Sequence, residues 1–156
     1  MSSPLEELAR LGIDLPSVAA PIAAYVPAVR SGDHVYVSGQ LPWRDGELVA
    51  TGKVGDAVTP QQATECARQC ALNGLAALNS VTPLDQVRRI VKVMVFVAST
   101  PDFTGQPGVA NGASEFLGEV MGDAGVHARS AVGVAALPLD TPVEVDLVVE
   151  VGPGAS

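Results

Sequence analysis

From Val143 to Val151 the chain alternates: Val143, Val145, Leu147, Val149 and Val151 share one face, and Glu144, Asp146, Val148 and Glu150 the other. That period predicts a strand buried on one side. The run Ser130 to Leu137 is rich in small and β-branched residues and predicts another strand, and Pro138 to Pro142 is a turn cluster between the two. His34 to Leu41 alternates as well, with Val35, Val37 and Gly39 facing one way and His34, Tyr36, Ser38 and Gln40 the other. Gly39 inside a strand points to a bulge or to the close approach of another backbone or a ligand. The Pro42 to Gly46 cluster turns the chain into a short strand around Glu47 to Ala50. Val87 to Ala98 is apolar on both faces past Lys92, as a central strand requires.

Helical spacing fills the gaps. Leu5, Leu8 and Leu11 predict a short amphipathic helix over residues 4–11, ended by Gly12. A proline- and alanine-rich connector follows from Pro16 to Pro27 and carries Tyr25. Thr59 as N-cap, Pro60 at the first helical position and Gln62 three after the cap start a helix that runs to about Asn79. Its core stripe is Ala63, Cys66, Ala67, Cys70, Ala71, Gly74, Leu75 and Leu78. After a loop from Ser99 to Gly108, a second helix over about 109–121 buries Val109, Ala113, Phe116, Leu117 and Val120. The core order β-β-α-β-α-β-β predicts an α+β domain over residues 21–151, with residues 1–20 as a helical extension and 152–156 as a flexible tail. Two helices cover only one face of such a sheet, so a second copy of the chain is the economical cover for the other.

Composition strengthens the case for a partner surface: hydrophobic residues make up 47% of the 156-residue chain and charged residues only 17%. A net charge of −8, with Arg88, Arg89 and Lys92 the nearest thing to a basic cluster, opposes nucleic-acid binding. The opening residues lack a basic start followed by an apolar run, and no stretch of about 18 apolar residues occurs, so a cytoplasmic protein without a membrane anchor is expected. Cys66 and Cys70, four apart on one helix face and without a nearby His, read as buried small residues rather than a metal or redox pair. No metal or other cofactor is expected.

The best site material is Arg129, at the mouth of one strand, and Glu144, near the start of the next. Arg129 can hold a small carboxylate bidentately, and Glu144 can orient or deprotonate a water. The bland alternatives are a surface ion pair for Arg129 and a solvated acidic face for Glu144, Asp146 and Glu150. If Pro138 to Pro142 closes a simple hairpin, Glu144 sits opposite about Ala136, and Arg129 lies roughly 23 Å away at about 3.3 Å per residue. The two then share a site only across a subunit boundary. Tyr25 and Asn111 read, on their own, as a half-buried packing residue and a surface or capping residue.

The run Ala128-Arg-Ser-Ala-Val-Gly-Val-Ala-Ala-Leu-Pro138, followed by the alternating strand that carries Glu144, resembles the signature of the Rid (YjgF) family of reactive-intermediate deaminases, also known as the endoribonuclease L-PSP family. Val35-Tyr-Val-Ser-Gly-Gln-Leu-Pro42 resembles its other common motif, and Val93-Met-Val-Phe-Val97 its central strand. The resemblance covers about Pro21 to Val151. It implies a chorismate-mutase-like α+β fold, a mixed sheet with two helices on one face, assembled as a homotrimer with clefts between subunits. It also implies hydrolysis of 2-imino or enamino acids to 2-keto acids and ammonia, without a cofactor. By position, Arg129 would hold the substrate carboxylate and Glu144 would place the attacking water. Tyr25, Ser38, Gly39, Asn111 and Ala131 would line the cleft. Ala131 stands where the best-known deaminases carry Cys, and Gly133 where Glu is frequent. Together with the N-terminal helix and the loop around Phe103 to Gly112, these departures resemble a divergent branch. Three readings follow: an imine deaminase, a non-catalytic trimer that binds a small carboxylate metabolite, and an endoribonuclease. Acidic charge and the lack of a His pair oppose the last.

Overall fold

Why both long helices lie on one side of the sheet follows from the connections. A computed structural model describes residues 2–21 and 23–153; Met1, Ile22 and the last three positions of the predicted tail lie outside it. Helices α1 (Pro4–Arg10), α2 (Pro60–Asn79) and α3 (Gln106–Met121) accompany strands β1 (Ala28–Ser31), β2 (His34–Gln40), β3 (Trp43–Arg44), β4 (Glu47–Leu48), β5 (Val87–Ala98), β6 (Ala128–Val134) and β7 (Val143–Val151). Five of these strands form one sheet in the order β1-β2-β7-β5-β6, and β3 and β4 form a separate ribbon. Only β5 and β6 pair in parallel. The path from β2 through α2 to β5, and from β5 through α3 to β6, steps the same way across the sheet each time. Right-handed crossovers then put both helices on the same face. The other face is left bare.

The predicted stripes of α2 and α3 are buried, and they meet Val143, Val145, Leu147, Val149 and Val151 of β7 in one core with Leu8 of α1. The capping box of α2 forms as the sequence indicates, Gln62 N–H donating to Thr59 Oγ1 and Thr59 N–H to Gln62 Oε1. Cys66 and Cys70 are buried free thiols, and burial pushes Cys66 up to about 11. At Gly112 the backbones of α3 and α2 touch: a Cβ there would overlap the Thr64 carbonyl oxygen and lie 2.9 Å from its carbon. Gly112→Ala is therefore expected to cost about 1–3 kcal/mol of stability, read as a lower midpoint in urea, because neither helix backbone can yield locally.

Four expectations need correction. The predicted strand-turn-strand is not a hairpin. After α3 delivers β6 alongside β5, the loop arches over the end of β5, with Leu139 and Asp140 at φ of 57° and 58°, and β7 inserts between β5 and β2. Turn residues mark a change of direction but do not say which neighbour the next strand will join. Gln40 does not share a face with Tyr36. Three residues of β2 from Val37 to Gln40 span two of β7, and this bulge turns Gln40 into the core and Gly39 toward the bare face. Helix α3 begins at Gln106, three residues earlier than predicted, because Pro107 sits in its first turn, where a missing N–H costs nothing. The strand predicted around Glu47 to Ala50 has only two residues, and strand β1 fills the gap between the Pro16 to Pro27 connector and β2, where no element is predicted.

Gly152, at the start of the predicted tail, is held on both sides: its N–H donates to the Gln86 carbonyl at 2.8 Å, and Arg30 Nη2 donates to its carbonyl at 2.7 Å. No helix among the described residues is long and apolar enough to cross a membrane.

Candidate functional site

Strand register fixes which way each candidate side chain leaves the sheet. Arg129 is paired with Val93, whose other partner is Leu147, and both of these face the helices. Arg129 therefore leaves the outer edge of the sheet on the helix side, beside α3. There Arg129 Nη1 donates to Asn111 Oδ1 at 2.7 Å and to Ser114 Oγ at 3.2 Å. Both hydrogens of one nitrogen are used. The Nε and Nη2 edge, the pair of parallel N–H groups that matches a carboxylate, has no partner among the described residues, and neither does the charge. Ala131 is the next residue on that side and packs against the core.

Glu144 is paired with Phe96 and leaves the opposite, bare face. It lines a crevice of about 60 Å³ together with Tyr25, Gly39, Trp43 and Pro138. Burial raises the Glu144 pKa above the usual carboxylate range, with a smaller push from Asp146, which burial also raises. Gly39 makes this position possible, because a Cβ there would overlap Glu144 Oε1. Ser38 serves the same crevice indirectly: its hydroxyl donates to the Val26 carbonyl at 2.6 Å and its N–H to the Pro27 carbonyl at 2.9 Å, which ties down the segment bearing Tyr25.

The seven predicted residues thus form two groups. Tyr25, Ser38, Gly39 and Glu144 gather on the bare side, and Asn111, Arg129 and Ala131 at the β6 edge by α3. Within one chain Arg129 and Glu144 are three residues apart in register and two strands apart, so roughly 14 Å separates their Cα atoms. That is shorter than the hairpin estimate, but the two side chains leave opposite faces. Two partners were missed at the sequence level, Ser114 and His127. His127 Nε2 lies 2.9 Å from Ser114 Oγ, and its Nδ1 lies 2.6 Å from the Gly125 carbonyl. A helix position thirteen residues away in the chain leaves no local pattern to detect.

A larger cavity of about 610 Å³ lies between residues 14–20 and the β3–β4 turn and shares Ala19, Ala20 and Trp43 with the Glu144 crevice. Its one cation, Arg44, is already bound by Glu65 at 2.9 Å and Gln69 at 3.1 Å. It offers less chemistry than the two groups above.

The family described as Endoribonuclease L-PSP matches residues 16–151. The chain is 48% identical over 145 residues to Protein TCP17 of Trypanosoma cruzi, covering 92% of this chain and 91% of that one. It is 32% identical over 139 residues to a 2-iminobutanoate/2-iminopropanoate deaminase of Dermatophagoides farinae, covering 88% and 93%. Among solved structures, Atu1372 of Agrobacterium tumefaciens, a protein of unknown function, superposes with a TM-score of 0.89 at 42% identity over 96% of this chain and 92% of that one. A putative endoribonuclease of Shewanella oneidensis gives 0.93 at 28% identity, covering 96% and 100%. Escherichia coli TdcF with bound serine gives 0.64 at 26% identity, covering 86% and 94%. With its two sequence motifs on the strands that carry the two groups, and with a match over nearly all of its sheet and helices, the chain belongs to the Endoribonuclease L-PSP family, the Rid (YjgF) family whose motifs it resembles.

Proposed function

We propose that this protein hydrolyses 2-imino acids to 2-keto acids and ammonia in clefts between its own copies. The observation that carries the reading is the Nε and Nη2 edge of Arg129, a two-pronged donor without a partner among the described residues, on a guanidinium that Asn111 and Ser114 hold by Nη1. A half-buried carboxylate with a raised pKa, Glu144, suits the other half of the task. The bare sheet face, where Tyr36 is 51%, Val29 50% and Val132 41% exposed, supplies the surface for a second copy. A deaminase relative and a serine-bound neighbour agree in ligand class: each name concerns a small carboxylate with nitrogen on C2.

In the proposed reaction Arg129 binds the substrate carboxylate, and Glu144 of the adjacent copy takes a proton from water as its oxygen adds to C2. Protonated Glu144 then gives that proton to the nitrogen, and as the C–N bond breaks the new hydroxyl returns its proton to the Glu144 carboxylate, so that ammonia leaves and a 2-keto acid remains. A protonated imine is already electrophilic, so orientation and one base supply the acceleration. Assembly as a trimer belongs to this proposal, and so do the contributions of Tyr25, Ser38, Asn111 and Ala131 to the cleft.

The test generates 2-imino acids with an amino-acid oxidase and follows their decay with and without the protein. Faster decay supports the deaminase. Unchanged decay together with binding of 2-oxobutanoate would leave the carboxylate-binding reading in its place. Gly39→Ala offers a sharper check. The three atoms nearest to the new methyl all belong to the Glu144 side chain, which can swing aside, so the melting temperature is expected to stay within a few degrees while kcat falls by roughly tenfold or more as the carboxylate is displaced.

A further inference from the structure

We infer that Ser114 and His127 form a positioning relay that sets the orientation of the Arg129 guanidinium; the inference rests on Arg129 as the carboxylate-binding group. With a neutral His127 ring each link has one direction. The Gly125 carbonyl, 2.6 Å from His127 Nδ1, can only accept, so Nδ1 carries the ring hydrogen. In the neutral ring Nε2 is then a lone pair, and the Ser114 hydroxyl at 2.9 Å donates to it. With its only hydrogen committed there, Ser114 Oγ is an acceptor toward Arg129 Nη1 at 3.2 Å. Asn111 Oδ1 takes the second Nη1 hydrogen at 2.7 Å.

Two acceptors on one nitrogen of a planar group fix the plane, and hence the direction of the free edge. Asn111 alone would leave rotation about that single contact. The far end of the relay is anchored in the backbone: Gly125 is buried, and a Cβ on it would overlap the Leu117 carbonyl oxygen of α3. The relay therefore ties Arg129 on β6 to two points of the α3 framework, one through Ser114 and one through the Gly122–Gly125 turn that follows α3. Neither residue touches substrate in this arrangement. Their work is done before the ligand arrives, as pre-organisation of the binding edge.

The experiment measures 2-oxobutanoate binding by calorimetry, and kcat and KM for the imine of 2-aminobutanoate, on the full chain and on Ser114→Ala, Ser114→Thr, His127→Phe and Arg129→Ala. Ser114→Ala and His127→Phe are expected to weaken 2-oxobutanoate binding and raise KM by roughly three- to tenfold, with kcat and melting temperature little changed. Ser114→Thr, which keeps the hydroxyl, is expected to recover most of that loss. Unchanged KM and affinity in Ser114→Ala and His127→Phe, alongside a loss in Arg129→Ala, would overturn the relay alone. A fall in melting temperature and kcat without a KM effect would overturn it in favour of plain structural support. No effect of Arg129→Ala, or no binding and no turnover by the unaltered protein, would overturn both the relay and the carboxylate-binding role on which it rests.

Discussion

Arg129→Ala is expected to lower kcat/KM for 2-imino acids by roughly a hundredfold to a thousandfold, about 3–4 kcal/mol of transition-state binding, while the fold stays intact. The side chain lies at the sheet edge and makes no ion pair among the described residues, and its two hydrogen bonds go to Asn111 and Ser114 on one neighbouring helix. Removing it opens no core cavity. Most of the loss should appear in KM, since the carboxylate is held in the ground state as well as the transition state. Arg129→Lys should recover little, because an ammonium cannot engage Asn111, Ser114 and both carboxylate oxygens at once. Steady-state kinetics beside a thermal melt decide this. An unchanged KM in Arg129→Ala would remove the carboxylate clamp from the account.

The second large effect concerns Glu144. Glu144→Gln keeps size and hydrogen-bonding capacity but cannot take a proton from water, so kcat is expected to fall by about a hundredfold or more with KM nearly unchanged. The unaltered protein carries a matching pH signature. Burial, aided by Asp146, raises the Glu144 pKa, so the acidic limb of kcat/KM should lie above the usual carboxylate range. Stability should move the other way. A carboxyl whose folded-state pKa lies above its unfolded value binds protons more tightly in the folded chain, so its contribution favours folding at low pH and is lost as pH rises through the raised value. In the acidic range, then, activity should fall while this contribution to stability grows. Both trends should weaken in Glu144→Gln.

How much of this was legible in the chain depends on how local each signal is. The β7 alternation, the α2 capping box and both helix stripes are read within a few residues: the alternation and the stripes take their predicted places in the core, and the capping box forms at the exposed start of α2. Pairing is not local. The same Pro138 to Pro142 cluster serves a hairpin or an arch over β5, and only the crossover through α3 decides in favour of the arch. The bulge that Gly39 suggests is present, but the group that comes close is the Glu144 side chain rather than a backbone or a ligand, and Gly39 faces the other way because a bulge resets the two-residue alternation. Arg129 and Glu144 stood out as permanent charges on predicted strands in a chain poor in charge. Ser114 and His127 did not, since a serine on a helix and a histidine before a strand acquire meaning only when α3 and β6 lie side by side.

Register also decides what one chain can do alone. Arg129 and Glu144 leave opposite faces of the sheet, so a cleft that uses both must be built by two copies. Mixing the separately impaired Arg129→Ala and Glu144→Gln chains, after unfolding and refolding together, and assaying them at substrate well below KM measures this directly. In any cyclic assembly with one arginine and one acid per cleft from adjacent copies, an equal mixture restores both groups to about a quarter of the clefts. Recovery near that fraction of the unaltered imine-hydrolysis rate is the predicted result. Co-refolded mixtures that form mixed assemblies yet remain as inactive as either parent would contradict a site shared between copies.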